Sequence, residues 1–317
     1  MNFEIDEQQR DFAASIDAAL GAADVPAAVR AWGEGDTGPG RKVWAQLTDL
    51  GVTALLVPEK FDGIDAHPVD LVVALERLGY WAVPGPVTES IAVAPILLAN
   101  DERSGALASG ELIATVAMPP QVPRVVNADV AGLTLLAADG QVGEATVGAA
   151  HDSVDPTRKL FDVSASGDTQ AADTARAYEF GVLATAAQLV GAGQAMLDQS
   201  VEYAKQRTQF GRIIGSYQAI KHKLADVHIA VELARPLVYG AALSLAEGAP
   251  ETARDISAAK VAAADAALLA ARSALQTHGA IGFTQEHDLS LSLLRVQALR
   301  SAWGDPTAHR RRLLEAL

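Results

Sequence analysis

The chain has 317 residues, of which 50% are hydrophobic and 5% aromatic, and a formal net charge of −14 at pH 7. That length holds one large domain or two to three smaller ones with a sizeable core, and the composition excludes a disordered chain. The negative charge argues against nucleic acid or an anionic membrane as partner, though not against an anionic small molecule in a local basic pocket; the lack of cysteine excludes disulfides, thiolate zinc sites and Cys nucleophiles.

The segment Met1 to Arg10 is polar and acidic and lacks the basic-then-apolar pattern of a secretion signal. No uncharged apolar run reaches the length that spans a bilayer, so the expected location is the cytoplasm. Phe3, Ile5, Phe12, Ile16 and Leu20 are spaced for one face of a helix that stops near Gly21. After a Gly-rich break from Gly33 to Gly40, Trp44, Leu47, Leu50 and Val52 mark a second helix ending near Gly51. Val52 to Pro58 reads as an apolar link and Glu59 to Pro68 as a loop. Val69 to Leu78 forms a third helix capped by Gly79, and Thr88-Glu89-Ser90 leads into another through Leu98. Residues 1–111 are therefore expected to form an N-terminal α-helical domain.

From Leu112 to Val163 the pattern turns β-leaning. Ile113–Met118, Leu133–Ala137, Gly143–Val147 and Leu160–Val163 are short apolar runs separated by Gly, Asp and Pro. They predict a reduced middle β-domain over 112–165. Helical periodicity then returns: Val182 to Gln206, Tyr217 to Glu247 with a kink at Pro236, Thr252 to Leu275, Leu289 to Ser301, and a short last turn from Thr307 to Leu317. Long, mutually apolar helices with short links predict an antiparallel four-helix bundle over 166–317. The fold expected is thus mainly α.

Two connectors are chemically dense. Arg207-Thr208-Gln209-Phe210-Gly211-Arg212 runs on through Ile214 to Tyr217 and Gln218. An Arg fork suits phosphate oxygens, Gln donates and accepts, Phe offers a flat face, and Gly lets backbone come close to a ligand. A dinucleotide such as FAD fits that set; a helix–helix turn with a solvated Arg and a core Phe fits it also. The second connector, Gln276-Thr277-His278-Gly279-Ala280-Ile281-Gly282-Phe283-Thr284, closes a bundle helix and reads alone as a Gly279 C-cap. His278, His287 and His309 lack the spacing of a metal site or triad, and no Gly-x-Ser-x-Gly elbow occurs; no metal is expected.

Taken together, the two connectors and the order α-region, β-region, α-bundle resemble the acyl-CoA dehydrogenase family over nearly the whole chain. The resemblance implies FAD-dependent α,β-dehydrogenation of an acyl-CoA thioester, with a glutamate removing the α-proton and an electron-transfer flavoprotein as acceptor. It places both connectors across a subunit interface from the flavin they serve. Arg207 would then bind the FAD diphosphate. Gln209, Phe210, Ile214, Tyr217 and Gln218 would line the adenosine and diphosphate path, and Gln276, Gly279 and Ala280 would complete the cradle. Ala280 departs from the family's usual second glycine there.

The glutamate itself is missing. Of the family's two positions for it, one falls on Trp303 or Gly304 within Ser301-Ala302-Trp303-Gly304-Asp305-Pro306, the other on Gly181. Glu179 and Asp305 are the nearby acids, Glu179 lying about 200° around a helix from Gly181. The flavin-ring segment is replaced by Ala117-Met118-Pro119-Pro120-Gln121-Val122-Pro123, while Asp155-Pro156-Thr157-Arg158 resembles the run that closes the family's β-domain. Motifs serving a neighbour's flavin survive, and those serving the chain's own do not. That asymmetry resembles the small non-catalytic subunits of α2β2 acyl-CoA dehydrogenases of actinobacterial steroid catabolism. It implies a larger catalytic partner subunit that binds most of a bulky acyl-CoA. A complete homo-oligomeric enzyme using Glu179 or Asp305, and a purely structural partner, are the alternatives.

Overall fold

The structure, a computed structural model, describes residues 5–316; Phe3 lies outside them. Helix α1 (Glu7–Ala22) opens with a capping box in which Asp6 accepts from the Gln9 N–H and Gln9 Oε1 accepts from the Asp6 N–H. It ends at Ala22, one residue past Gly21, as its apolar spacing predicts. An unexpected helix, α2 (Val25–Gly33), follows; Asp24 caps it, and Pro26 sits in the first turn, where a missing N–H costs nothing. After α3 (Gly38–Asp49), 3-10 turns at Val52–Ala54 and Glu59–Phe61 occupy the segments read as link and loop. Then come α4 (Pro68–Tyr80), a π-helical turn at Thr88–Val93, α5 (Ala94–Leu97) and α6 (Arg103–Ala108).

Five strands form the middle sheet: β1 (Ala114–Ala117), β2 (Val125–Val126), β3 (Leu133–Ala138), β4 (Gln141–His151) and β5 (Leu160–Ala171), in the order β1-β3-β4-β5-β2. Only β1 and β3 are parallel. The β4–β5 ribbon is longer than expected, and the expected boundary at residue 165 falls inside β5. Most of its residues are exposed on both faces, so no apolar alternation announces it.

The C-terminal part comprises α7 (Thr174–Gln206), a small hairpin of β6 (Thr208–Gln209) and β7 (Arg212–Ile213), α8 (Gln218–Glu247), α9 (Thr252–His278), α10 (Leu289–Ser301) and α11 (Pro306–Glu315). Helix α7 begins at Thr174, not Val182, because Asp173 caps it by accepting from the Arg176 N–H. Pro236 lies within α8, which continues through it as one helix. Gly79, expected as a cap, is inside α4 for a packing reason. A Cβ on Gly79 would lie 2.2 Å from the Gln188 carbonyl oxygen, and one on Gly191 1.8 Å from that of Glu76, so α4 and α7 meet backbone to backbone there.

One core cluster extends from Ile16 and Leu75 through Val116 and Leu135 to Val190 and Leu299, joining all three regions. By length and composition α7 and α8 could each cross a membrane, contrary to the expectation that no apolar run is long enough. In α7 the most apolar window is 94% buried inside the fold; in α8 it is 44% buried. The apolarity of α7 is thus core, whereas α8 leaves Ile229, Leu233 and Leu237 exposed along one face.

Candidate functional site

The antiparallel pairing of α8 and α9 brings the two connectors to one end of the bundle, where Lys223 Nζ, near the start of α8, donates to Gln276 Oε1 at 2.5 Å. The β6–β7 hairpin turns on Phe210 (φ 53°) and Gly211 (φ 79°). Positive φ at both central residues is the type I′ geometry of two-residue hairpins, and for a bulky residue such as Phe it is strained. Phe210 is 92% exposed. It is therefore not core, and its ring is held out by the turn. Tyr217 braces the hairpin: its hydroxyl donates to the Gln209 carbonyl at 3.2 Å, and Arg212 lies 4.0 Å over its ring.

Arg207, Gln209, Gln218, Gln276, Gly279 and Ala280 are exposed as well, with Ile214 and Tyr217 half-buried. Gly279 does cap α9, at φ 65°, with no atom within 4 Å of where a Cβ would stand. A cap and a close-approach point are therefore the same residue. An Arg fork, amides, an outward aromatic face and open glycine backbone fit the diphosphate and adenosine part of a dinucleotide approaching from outside the chain.

Gly181 and Trp303, where the resemblance led to the expectation of a glutamate, touch each other. Trp303 is 1% exposed, and its indole lies directly on Gly181, where a Cβ would be 2.2 Å from the ring. The indole N–H donates to Glu89 Oε1 at 3.1 Å. Trp303 (φ 57°) and Gly304 (φ 93°) both adopt positive φ. The loop is pinned by His309, whose Nε2 lies 2.9 Å from the Trp303 carbonyl and Nδ1 3.2 Å from Ser257 Oγ. Burial lowers the His309 pKa to about 4, so near neutrality the ring is uncharged, donating from Nε2 and accepting at Nδ1.

Neither displaced acid faces this point. Glu179 is inside α7, two residues from Gly181 on the opposite side, and both its oxygens bind Arg312. Asp305 is the N-cap of α11, accepting from the Ala308 and Thr307 N–H groups, which hold its carboxyl below the usual range.

Sequence reasoning missed a buried cross-tie that frames the site. Asp155 Oδ2 accepts from Arg295 Nε at 2.6 Å, while Arg295 also donates to the Val83 carbonyl and to Thr157 Oγ1. Burial alone would raise the Asp155 carboxyl, but Arg295 and bonds from Thr157 hold it below its ordinary value. Arg158, 4% exposed, sits 4.0 Å from Glu89. The Asp155–Arg158 run was visible in sequence; its partners Arg295 and Glu89, each on a helix rich in apolar residues, carried no signal.

Two family descriptions match the chain: acyl-CoA dehydrogenase, N-terminal domain, over residues 6–103, and acyl-CoA dehydrogenase, C-terminal domain, over residues 174–317. Acyl-CoA dehydrogenase IpdE2 of Mycolicibacterium smegmatis is 33% identical over 91% of this chain and 92% of its own. Acyl-CoA dehydrogenase FadE34 of Mycobacterium tuberculosis is 32% identical over 84% of this chain and 40% of its own. Among solved structures, butyryl-CoA dehydrogenase from Megasphaera elsdenii superimposes with a TM-score of 0.86 at 20% identity, covering 100% of this chain and 99% of that one. The ChsE4–ChsE5 complex from Mycobacterium tuberculosis gives 0.84 at 22%, covering 99% and 98%. The chain belongs to the acyl-CoA dehydrogenase family of oxidoreductases, whose fold it has throughout and whose cofactor is FAD.

Proposed function

We propose that this chain is the non-catalytic subunit of a heteromeric acyl-CoA dehydrogenase, lending FAD contacts to a larger catalytic partner that introduces the α,β double bond into a bulky acyl-CoA. The observation that carries the proposal is the packing of the buried Trp303 indole on Gly181, which supports the reading that neither expected base position holds a carboxylate. The retained connectors complement it. They stand exposed at one end of the bundle, and the apolar stripe of Ile229, Leu233 and Leu237 gives a partner an adjoining surface.

FAD bound at the interface would supply hydride-accepting chemistry. The chain's own contribution is positional. Arg207 would give charge-assisted hydrogen bonds to diphosphate oxygens, Gln209 and Gln276 amide contacts, Phe210 a flat apolar wall, and Gly279 close backbone approach. The α-proton would be removed by the partner, and reduced flavin would pass its electrons to an electron-transfer flavoprotein. The steroid side-chain CoA class is supported by relatives: a solved steroid acyl-CoA dehydrogenase, Tcur3481–Tcur3483, shares the fold with a TM-score of 0.86, and the ChsE4–ChsE5 structure is itself a two-protein complex.

Flavin counting tests this reading. The isolated chain is expected to bind little FAD and to show no turnover, and the complex with its partner to hold FAD. Arg207→Ala in that complex should weaken FAD retention by roughly 10- to 100-fold, the equivalent of a charge-assisted bond of about 1.5–3 kcal/mol. Full flavin occupancy with turnover in the isolated chain would overturn the proposal. Unchanged flavin content in the Arg207→Ala complex would reduce the subunit to a structural partner.

A further inference from the structure

The first connector runs against the charge of the chain. Between Glu202 and Asp226 lie Lys205, Arg207, Arg212, Lys221 and Lys223 and no carboxylate, although the net charge is −14. Lys205 is paired with Glu202, and Arg212 lies over the Tyr217 ring. Arg207, Lys221 and Lys223 make no ion pair among the described residues. Arg207 and Lys221 are exposed, whereas Lys223 is half-buried. A half-buried ammonium without a carboxylate needs another reason to stand where it does.

What Lys223 touches is the second connector. From the second turn of α8 its Nζ donates to Gln276 Oε1, in the last turn of α9, at 2.5 Å. An ammonium carries donors only, so it decides which end of an amide faces it. The Gln276 oxygen is therefore turned to Lys223. The Nε2 amide group, which has no partner among the described residues, is left to donate from an exposed side chain. Without the ammonium nothing separates the two amide orientations, and one of them presents an oxygen to an approaching anion. With it, Lys223, Gln276 and Arg207 all offer donors at one end of the bundle, the complement of a diphosphate, which carries acceptors and negative charge.

We propose that Lys223 is a positioning and binding residue for the FAD diphosphate: it holds the Gln276 amide with its N–H group outward and adds its own charge to that of Arg207. This inference rests on the heteromeric reading above, in which the flavin belongs to the partner. It adds to that reading a cation outside both connector motifs, and it gives Gln276 a fixed orientation in place of a free one.

The test uses the assembled complex, freed of flavin and titrated with FAD at low and high KCl while flavin fluorescence is followed, with Arg207→Ala alongside. Lys223→Met should weaken FAD binding about tenfold and flatten its salt dependence, because one charge no longer meets the diphosphate. Lys223→Arg should restore both. Gln276→Leu should weaken binding but keep the salt dependence. Combining Lys223→Met with Gln276→Leu should cost less than the product of the two single losses, since an absent amide cannot be misoriented. Losses that simply multiply overturn the positioning role and with it the inference. Wild-type affinity in Lys223→Met beside a loss in Arg207→Ala overturns the inference and leaves the heteromeric reading standing; if neither variant loses FAD, both fall. Should Lys223→Met fail to assemble, Lys223→Gln decides, because it can still donate to Gln276 without a charge: a salt dependence as steep as that of the wild type overturns the proposal.

Discussion

Trp303 is buried against Gly181, and that packing makes a sign-changing prediction. A methyl on Gly181 meets the indole at 2.2 Å. Gly181→Ala should therefore destabilise the protein by about 1–3 kcal/mol through overpacking, and Trp303→Ala by about 3–5 kcal/mol through the cavity it leaves. With the indole gone, the same Gly181→Ala change fills space and removes a helix glycine, worth roughly 0.5–1 kcal/mol in favour of the fold. The substitution should thus harm the wild type and help Trp303→Ala, as read from denaturant midpoints. Equal effects in the two backgrounds would mean that the positions do not meet. His309 adds a pH signature. Its folded pKa of about 4 is below the ordinary histidine value, so the unfolded chain binds more protons at mildly acidic pH. Its contribution is then complete above about pH 6.5 and declines as pH falls toward 4. In His309→Gln the stability difference between pH 7 and pH 5 should shrink.

Among the elements, the tie of Asp155, Thr157 and Arg295 joins the end of the β-domain to α10 and to the Val83 turn. Removing one partner of a buried pair leaves the other charge unpaired, so Arg295→Met should cost about 3–5 kcal/mol in unfolding experiments. The loss should be smaller below pH 4: the depressed Asp155 carboxyl stabilises the fold above its unfolded pKa, and that stability is lost as pH falls through the folded value. This tie also marks how far the sequence could be read. The long helices were legible because their apolar spacing repeats over many turns, and the connectors because Arg, Gln, Phe and Gly cluster in so few residues. The β4–β5 ribbon was legible only in part, since most of its side chains meet water on both faces. The short α2 hid behind Pro26. Arg295 could not be found from α10 alone, because a single charge on a helix says nothing about whether a carboxylate from another domain waits beside it. For the candidate site, Gly181 and Trp303 could be picked out one by one in the sequence; that the Trp303 indole packs on Gly181 could not, because it depends on α7 and the Trp303 loop meeting in space.

For the molecule as a whole, the proposed heteromeric assembly makes two separable demands, one on the exposed connectors and one on the apolar stripe of α8. Leu233 is 66% exposed and lies between Ile229 and Leu237, which are 55% and 46% exposed, at four-residue spacing on one helix face. Leu233→Asp should leave the stability of the isolated chain within about 0.5 kcal/mol, since the side chain already meets water. In an assembled complex the same carboxylate would be buried against an apolar surface without a counter-charge, which is strongly unfavourable. Co-expression with the catalytic partner followed by size-exclusion chromatography should then show the two chains eluting apart, with the flavin lost along with the complex. Arg207→Ala should behave in the opposite way, leaving the two chains together and the flavin depleted. If Leu233→Asp co-elutes with the partner as the wild type does, α8 does not form the contact, and the partner must reach the connectors from another side.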